Sequence, residues 1–240
     1  MLQRAEPDYR LINLPTTTLL PRHRSAFGLT HRFAGNLAAG SFADNANNLF
    51  GLDQGALIGF EFRIAVARRL QAAVYRTTFE KTVQFHGKYD AVRQRGGTPV
   101  SISALASIEG LDNFTERRSP ALGAVISRTI GGDVAALYAT PLWVHNSATL
   151  AGVSRDTVLV GLGGRARILA TVSVVAEVSP RLGGYAPGRP TFGFGIEKRS
   201  GGHLFQLNFT NSYSTTFGQI ARGGFPDTIY LGFNLARKFF

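Results

Sequence analysis

Ile229-Tyr230-Leu231-Gly232-Phe233-Asn234-Leu235-Ala236-Arg237-Lys238-Phe239-Phe240 is the stretch whose reading decides the fold. Ile229, Leu231, Phe233 and Leu235 alternate with small or polar residues, so a strand carries them on one face and Gly232 and Asn234 on the other. Such an apolar row has two homes. It faces the core of a soluble sandwich, or it faces bilayer hydrocarbon while the polar row lines an interior lumen. The rest of the chain separates the two.

The length, 240 residues, suits one large β domain. Apolar residues make up 44%, yet no run approaches the roughly 18 that a membrane-spanning helix needs, so any span is made of strands. The 28 glycines and 18 phenylalanines, against a single Trp and a single Met, fit strands and turns better than helices. Cysteine is absent, which removes a disulfide framework and thiolate metal sites. The net charge of +11 comes from scattered residues such as Arg63, Arg76, Lys88, Arg128 and Arg165, without a basic run or a nucleic-acid motif. Nucleic acid is therefore not an expected partner; a basic lumen, or basic rims against anionic lipid headgroups, is. Met1-Leu2-Gln3-Arg4-Ala5-Glu6-Pro7 has no apolar signal-peptide region, so an export leader is expected to lie outside these residues.

Period-two segments recur from Arg24 onward. The cleanest sets Ile58, Phe60, Phe62 and Ile64 against Gly59, Glu61 and Arg63. Others place Phe27, Leu29 and Phe33 against Gly28, Thr30 and Arg32, and Val83, Phe85 and Tyr89 against Gln84, His86, Lys88 and Asp90. Later ones place Val172, Val174 and Val178 against Ser173 and Glu177, Phe192 and Phe194 against Gly193 and Gly195, and Phe205 and Phe209 against Gln206 and Asn208. Segments near 70–77, 121–129 and 134–145 do not declare their facing. The total is about twelve, the even number expected of a single-chain bacterial barrel. Long outer loops and short periplasmic turns should alternate. Long connections are expected at 35–54, 109–120, 146–156, 180–189 and 212–227, with 78–81 too short for the rule and 93–98 slightly too long.

These patterns predict an all-β fold: a closed antiparallel up-and-down transmembrane β-barrel over residues 25–240, preceded by an extended periplasmic leader or plug segment at 1–24. Phe60, Phe62, Phe192, Phe194, Phe205, Phe209 and Phe233 are expected to face lipid. Glu61, Arg63, His86, Lys88, Asp90 and Glu177 are expected to line the lumen, and Arg76 is read with them.

Ile12-Asn13-Leu14-Pro15-Thr16-Thr17, Arg22-His23-Arg24 and Thr30-His31-Arg32-Phe33 resemble a family of uncharacterised, porin-like bacterial outer-membrane β-barrels. So do Tyr75-Arg76-Thr77, Gly87-Lys88-Tyr89-Asp90, Gly195-Ile196-Glu197-Lys198-Arg199 and Phe205-Gln206-Leu207-Asn208-Phe209-Thr210-Asn211. The resemblance spans nearly the whole chain and implies a fold and an integral outer-membrane location rather than a reaction. It also implies outer-membrane lipid and the barrel-assembly machinery as partners, the latter reading Phe239 and Phe240 at the terminus.

Catalytic signals are missing. His23, His31, His86, His145 and His203 lie outside nucleophile-elbow contexts and lack metal-ligand spacing, and serines such as Ser101, Ser103 and Ser173 have no partnered base. No cofactor or metal site is expected, and Gly163-Gly164, Gly183-Gly184, Gly201-Gly202 and Gly223-Gly224 read as turns or as lumen positions needing small volume. The leading functional expectation is a narrow channel for small solutes with a mild preference for anions, with the Pro-containing leader or the long first loop folded in as a plug. The alternative is a non-conducting anchor whose first loop, with Phe42, Asn45, Leu49 and Phe50, docks an envelope protein. A lipid-modifying enzyme is a weaker third reading.

Overall fold

The computed structural model describes residues 6–148 and 155–239. Thirteen antiparallel strands form one sheet: β1 (Ser25–Asn36), β2 (Ala56–Ala67), β3 (Leu70–Thr77), β4 (Val83–Val92), β5 (Ser101–Leu111), β6 (Glu116–Ile130), β7 (Ala135–Val144), β8 (Thr157–Arg167), β9 (Val172–Ser179), β10 (Arg181–Gly184), β11 (Thr191–Ser200), β12 (His203–Thr210) and β13 (Tyr230–Phe239). Pro180 divides β9 from β10. Proline has no N–H for the ladder, yet its carbonyl still accepts from Val160 N at 3.0 Å, so both pieces follow β8 as a single wall position. Twelve wall positions result. The first and last pair in register from Ser25↔Phe239 to Arg32↔Gly232, which closes the barrel. Closure pairs the backbone around the wall, the condition a strand-built span must meet in hydrocarbon.

The decisive C-terminal stretch behaves as its alternation demands. Gly232, Asn234 and Lys238 are buried inside; Leu231, Phe233, Leu235, Arg237 and Phe239 point out. Arg237 takes an outward position at the barrel end, where its guanidinium lies 2.8 Å from His203 Nε2 and over the Phe239 ring. Phe240 lies outside the described residues. Phe60, Phe62, Phe192, Phe194 and Phe205 are exposed on the outer wall, with Phe209 and Phe233 half-buried among neighbouring rings on that same wall.

Several details differ from the sequence reading. On β3 the inward row is Gln71, Ala73, Tyr75 and Thr77, which puts Arg76 outside, bonded to Asn113 at 3.0 Å. Its position near the strand end lets the long side chain reach polar groups at the rim. The fifth connection is only 112–115, because β5 and β6 run further than their alternation suggested. Lys81 joins it to the third connection through Asp112 at 2.9 Å, a bond that holds the Asp112 carboxyl below its ordinary range. The longest connections, 37–55 and 211–229, fall at the end opposite Ser25 and Phe239; part of the connection after β7, 149–154, lies outside the described residues.

The first loop does not enter the barrel. It carries α1 (Phe42–Asn47), started by a reciprocal cap between Ser41 and Asp44, and leaves Phe42, Leu49, Phe50 and Leu52 exposed. Gly51, at φ +86°, packs so tightly on Gly35 that a Cβ on Gly35 would sit 2.3 Å from the Gly51 Cα. Both positions need glycine.

If the outer wall meets lipid, Phe60→Arg should destabilise the barrel by about 2–4 kcal/mol while Phe60→Leu changes little. Urea titration of protein refolded in lipid vesicles, read by heat-modifiable gel mobility, measures the difference; equal stability of the two variants would place this face elsewhere.

Candidate functional site

Residues 6–20 lie inside the barrel, and they define its chemistry. Thr16 N donates to Tyr9 O at 2.9 Å and Leu11 N to Leu14 O at 2.8 Å, so the segment doubles back as a short hairpin with its tip at 11–14. Its side chains Tyr9, Leu11, Ile12, Leu14, Thr16 and Thr17 are all buried. A hairpin without sheet neighbours carries N–H and C=O groups that must find other partners.

Glu177, on β9, supplies one set. Its carboxylate accepts from the N–H groups of Ile12, Asn13 and Leu14 at 3.0, 2.9 and 3.1 Å, so the tip wraps the carboxylate in a nest of amides. Lumen donors supply the rest. Gln206 Nε2 donates to Leu11 O at 2.8 Å, Asn234 Nδ2 to Ile12 O at 2.9 Å and Arg165 Nη2 to Arg10 O at 2.8 Å. Lys88 Nζ donates to the Thr16 and Thr18 carbonyls, Gln71 Nε2 to Thr18 O at 3.0 Å, and Lys238 Nζ to Pro7 O. Arg32 reaches the Asn13 side chain at 2.9 Å, and Tyr138 OH donates to Glu6 at 2.9 Å.

Some charges inside the barrel are paired. Glu61 takes Arg10 of the hairpin and Arg63 of its own strand, the latter at 2.8 Å, with His86 Nε2 at 3.8 Å. Arg165 pairs with Glu197, and Asp90 with Arg93 at 2.7 Å near the barrel end. The six residues read from sequence as lumen lining are all buried, but with distinct partners: Glu61, Lys88 and Glu177 bond the hairpin, Arg63 and His86 surround Glu61 with Arg63 also over the hairpin's Tyr9 ring, and Asp90 pairs with Arg93 and makes no hydrogen bond to the described hairpin residues. Arg32, Glu197, Gln206 and Asn234 stand on polar strand rows in the sequence, and the barrel turns those rows inward; Arg10, Gln71, Arg165 and Lys238 carry no sequence mark of their role, and nothing in the sequence says what any of the eight holds.

The other half of the lumen carries an apolar patch among buried hydroxyls. Leu105, Ala121, Val125, Leu142, Val144, Leu159 and Val175 form one buried cluster with Leu11 and Leu14 of the hairpin. Small residues make room for it: a Cβ on Gly161 would lie 2.6 Å from Leu14 Cδ2, and one on Gly163 would lie 2.5 Å from Leu11 Cδ1.

A second insert enters from the opposite end. In the connection after β12, Thr216 caps α2 (Phe217–Arg222) by accepting from Gln219 N, and Phe217, Ile220 and Ala221 join the apolar cluster. Gly218 N donates to the buried Glu109 carboxylate at 2.8 Å, and Arg222 pairs with Glu80. The two inserts meet where Arg10 reaches Thr215 O at 3.4 Å. Cavities left beside the hairpin measure about 30 and 10 Å³, room for isolated waters. A larger concavity of about 600 Å³ lies on the outer wall over Ala72, Gly87 and Ala106, walled mainly by apolar side chains such as Phe62, Val74, Phe85 and Ile108.

The chain belongs to the family described as "Membrane bound beta barrel domain (DUF5777)", which matches residues 8–239. Its fold is that of porins. The KdgM porin is 9% identical with a TM-score of 0.57, covering 90% of this chain and 99% of that one; the NanC porin is 7% identical with the same score and coverage. The outer membrane protein Omp33 of Acinetobacter baumannii is 9% identical over 90% of this chain and 98% of its own, with a TM-score of 0.48. No curated protein matches the sequence.

Replacing Glu177 removes three charge-assisted bonds at once and leaves three amides without an acceptor. Glu177→Ala should raise tryptic cleavage after Arg10 by about 100-fold, equivalent to about 3 kcal/mol of lost hairpin binding. Gly163→Val, which drives a methyl into Leu11, should act in the same direction. Unchanged cleavage in both variants would mean that the tip is held by something else.

Proposed function

We propose that this membrane-bound barrel is a gated outer-membrane channel for small solutes, closed at rest by its own N-terminal hairpin from the periplasmic end, with the α2 insert narrowing the opposite end without sealing it. The observation that carries this reading is the nature of the hairpin–wall interface, where charged and amide side chains hold the hairpin by its backbone. Burying ions costs several kcal/mol each even when they are paired, and a barrel filled permanently is filled more cheaply with apolar residues. A polar interface has one advantage over an apolar one: water can replace every bond the hairpin makes when it leaves.

Mild anion preference, the selectivity expected from Arg63 and Lys88, gains little support from the closed state. Arg63, Arg165 and Arg93 all have wall carboxylates as partners, in Glu61, Glu197 and Asp90. Arg76, on the outside, adds nothing to the lumen field.

The anchor reading keeps one specific observation in its favour, the exposed Phe42, Leu49, Phe50 and Leu52 on the first loop. Leu49 and Phe50 adopt φ of 45° and 55°, a left-handed conformation that costs bulky residues energy. An anchor needs no movement of the hairpin, so conductance decides.

Thr17 Oγ1 and Ser127 Oγ lie 2.6 Å apart, close enough for a cysteine pair to bridge hairpin and wall in a chain with no other thiol. In planar bilayers, Glu177→Ala should show discrete openings where the native chain is mostly silent. Adding Thr17→Cys and Ser127→Cys should abolish these openings when oxidised and restore them on reduction. Silence of every variant in folded form would leave the anchor as the working function.

A further inference from the structure

The lumen is divided along its circumference, and the division says what kind of solute would replace the hairpin. We infer that the vacated lumen takes a small amphiphilic carboxylate, a solute with one anionic head and an aliphatic or aromatic body; the inference rests on the gated-channel reading. One rung of the wall displays the site. Register pairs Gln71 with Lys88, Lys88 with Leu105, Leu105 with Gly123, Gly123 with Leu142 and Leu142 with Leu159. Across that rung the lining changes from an amide and an ammonium to the apolar Leu105, Leu142 and Leu159, flanked along their strands by Ser103, Thr140 and Thr157.

The hairpin in place already answers to this pattern. It offers the Thr16 and Thr18 carbonyl oxygens to Lys88, and it lays Leu11 and Leu14 on the apolar side against Gly163 and Gly161. When it leaves, most wall cations stay neutralised: Arg63 by Glu61, Arg165 by Glu197 and Arg93 by Asp90. Arg32 keeps the Asn234 side chain at 2.8 Å, and Lys238, paired in the ladder with Ala26, sits at the barrel end. Lys88 loses both its acceptors and stands beside Leu105.

A solute that displaces the water at Lys88 must cap that ammonium itself, because an unpaired charge cut off from water is costly. It must also dry the leucine surface, worth about 25 cal/mol for each Å² of apolar area covered. A carboxylate head at Lys88 and Gln71 with a hydrocarbon body over Leu105, Leu142 and Leu159 does both. A sugar acid supplies the charge but sets hydroxyls against leucine. A neutral alcohol covers the leucines but leaves Lys88 without an anion.

The test uses the full chain carrying Glu177→Ala, reconstituted in planar bilayers, with three probes: 4-phenylbutyrate, glucuronate and 4-phenylbutan-1-ol. Phenylbutyrate should reduce the open current at concentrations about tenfold below those of either other probe, a difference near 1.4 kcal/mol. Lys88→Met should erase its advantage over the alcohol, Lys88→Arg should keep it, and Leu142→Asn should erase its advantage over glucuronate. Heat-modifiable mobility checks that each variant is folded. Equal block by glucuronate and phenylbutyrate, or indifference to Lys88→Met, overturns the amphiphile assignment while leaving a working channel. Absence of current in any folded variant overturns the gated-channel reading beneath it.

Discussion

A polypeptide that enters a barrel without joining its sheet brings a backbone polar group with nearly every residue, and these groups must be satisfied where bulk water does not reach. That constraint organises this molecule. The carbonyls of Pro7, Arg10, Leu11, Ile12, Thr16 and Thr18 each accept from a lumen side chain, and the amides at the hairpin tip converge on Glu177. The inward composition follows from it. Lysine, arginine, glutamine and asparagine stand where carbonyls arrive, a glutamate stands where amides arrive, and glycines stand where leucines arrive.

The same requirement explains why the two inserts differ in how they are fastened. The N-terminal hairpin relies on side chains drawn from β1, β2, β3, β4, β6, β7, β8, β9, β12 and β13, with Glu177 alone serving three of its amides. The α2 insert satisfies most of its own amides by helix bonding and its Thr216–Gln219 cap, and it borrows Glu109 for Gly218. Both fastenings place a buried carboxylate under a turn of backbone, one for each end of the lumen.

Much of the barrel is legible in sequence because hydrocarbon imposes a strict rule on outward positions. Phe60 and Phe62, or Phe192 and Phe194, stand beside inward Glu61 and Gly193, and the period of two survives. It fails on β6 and β7. There Val125, Leu142 and Val144 turn inward onto Leu11, Leu14 and α2, so both faces are apolar and the alternation disappears. Arg76 misleads for a related reason, since a lumen arginine and a rim arginine bonded to Asn113 carry the same letter. The α2 insert did leave a sequence mark, Thr216 followed by Gln219 at capping-box spacing. At six residues, however, the helix is too short to show a period. The hairpin left almost none, because its partners are scattered from Arg32 to Lys238 and only folding brings them together.

The central claim is that lumen side chains hold the hairpin by its backbone. It is tested most directly by hydrogen exchange at the Ile12, Asn13 and Leu14 amides, measured residue by residue on the full chain in lipid nanodiscs. The account predicts protection at these amides comparable to that of the wall strands, falling by about 100-fold in Glu177→Ala with the barrel amides unchanged. Rapid exchange at all three in the native chain would show that the hairpin is not held as described, and would contradict the account.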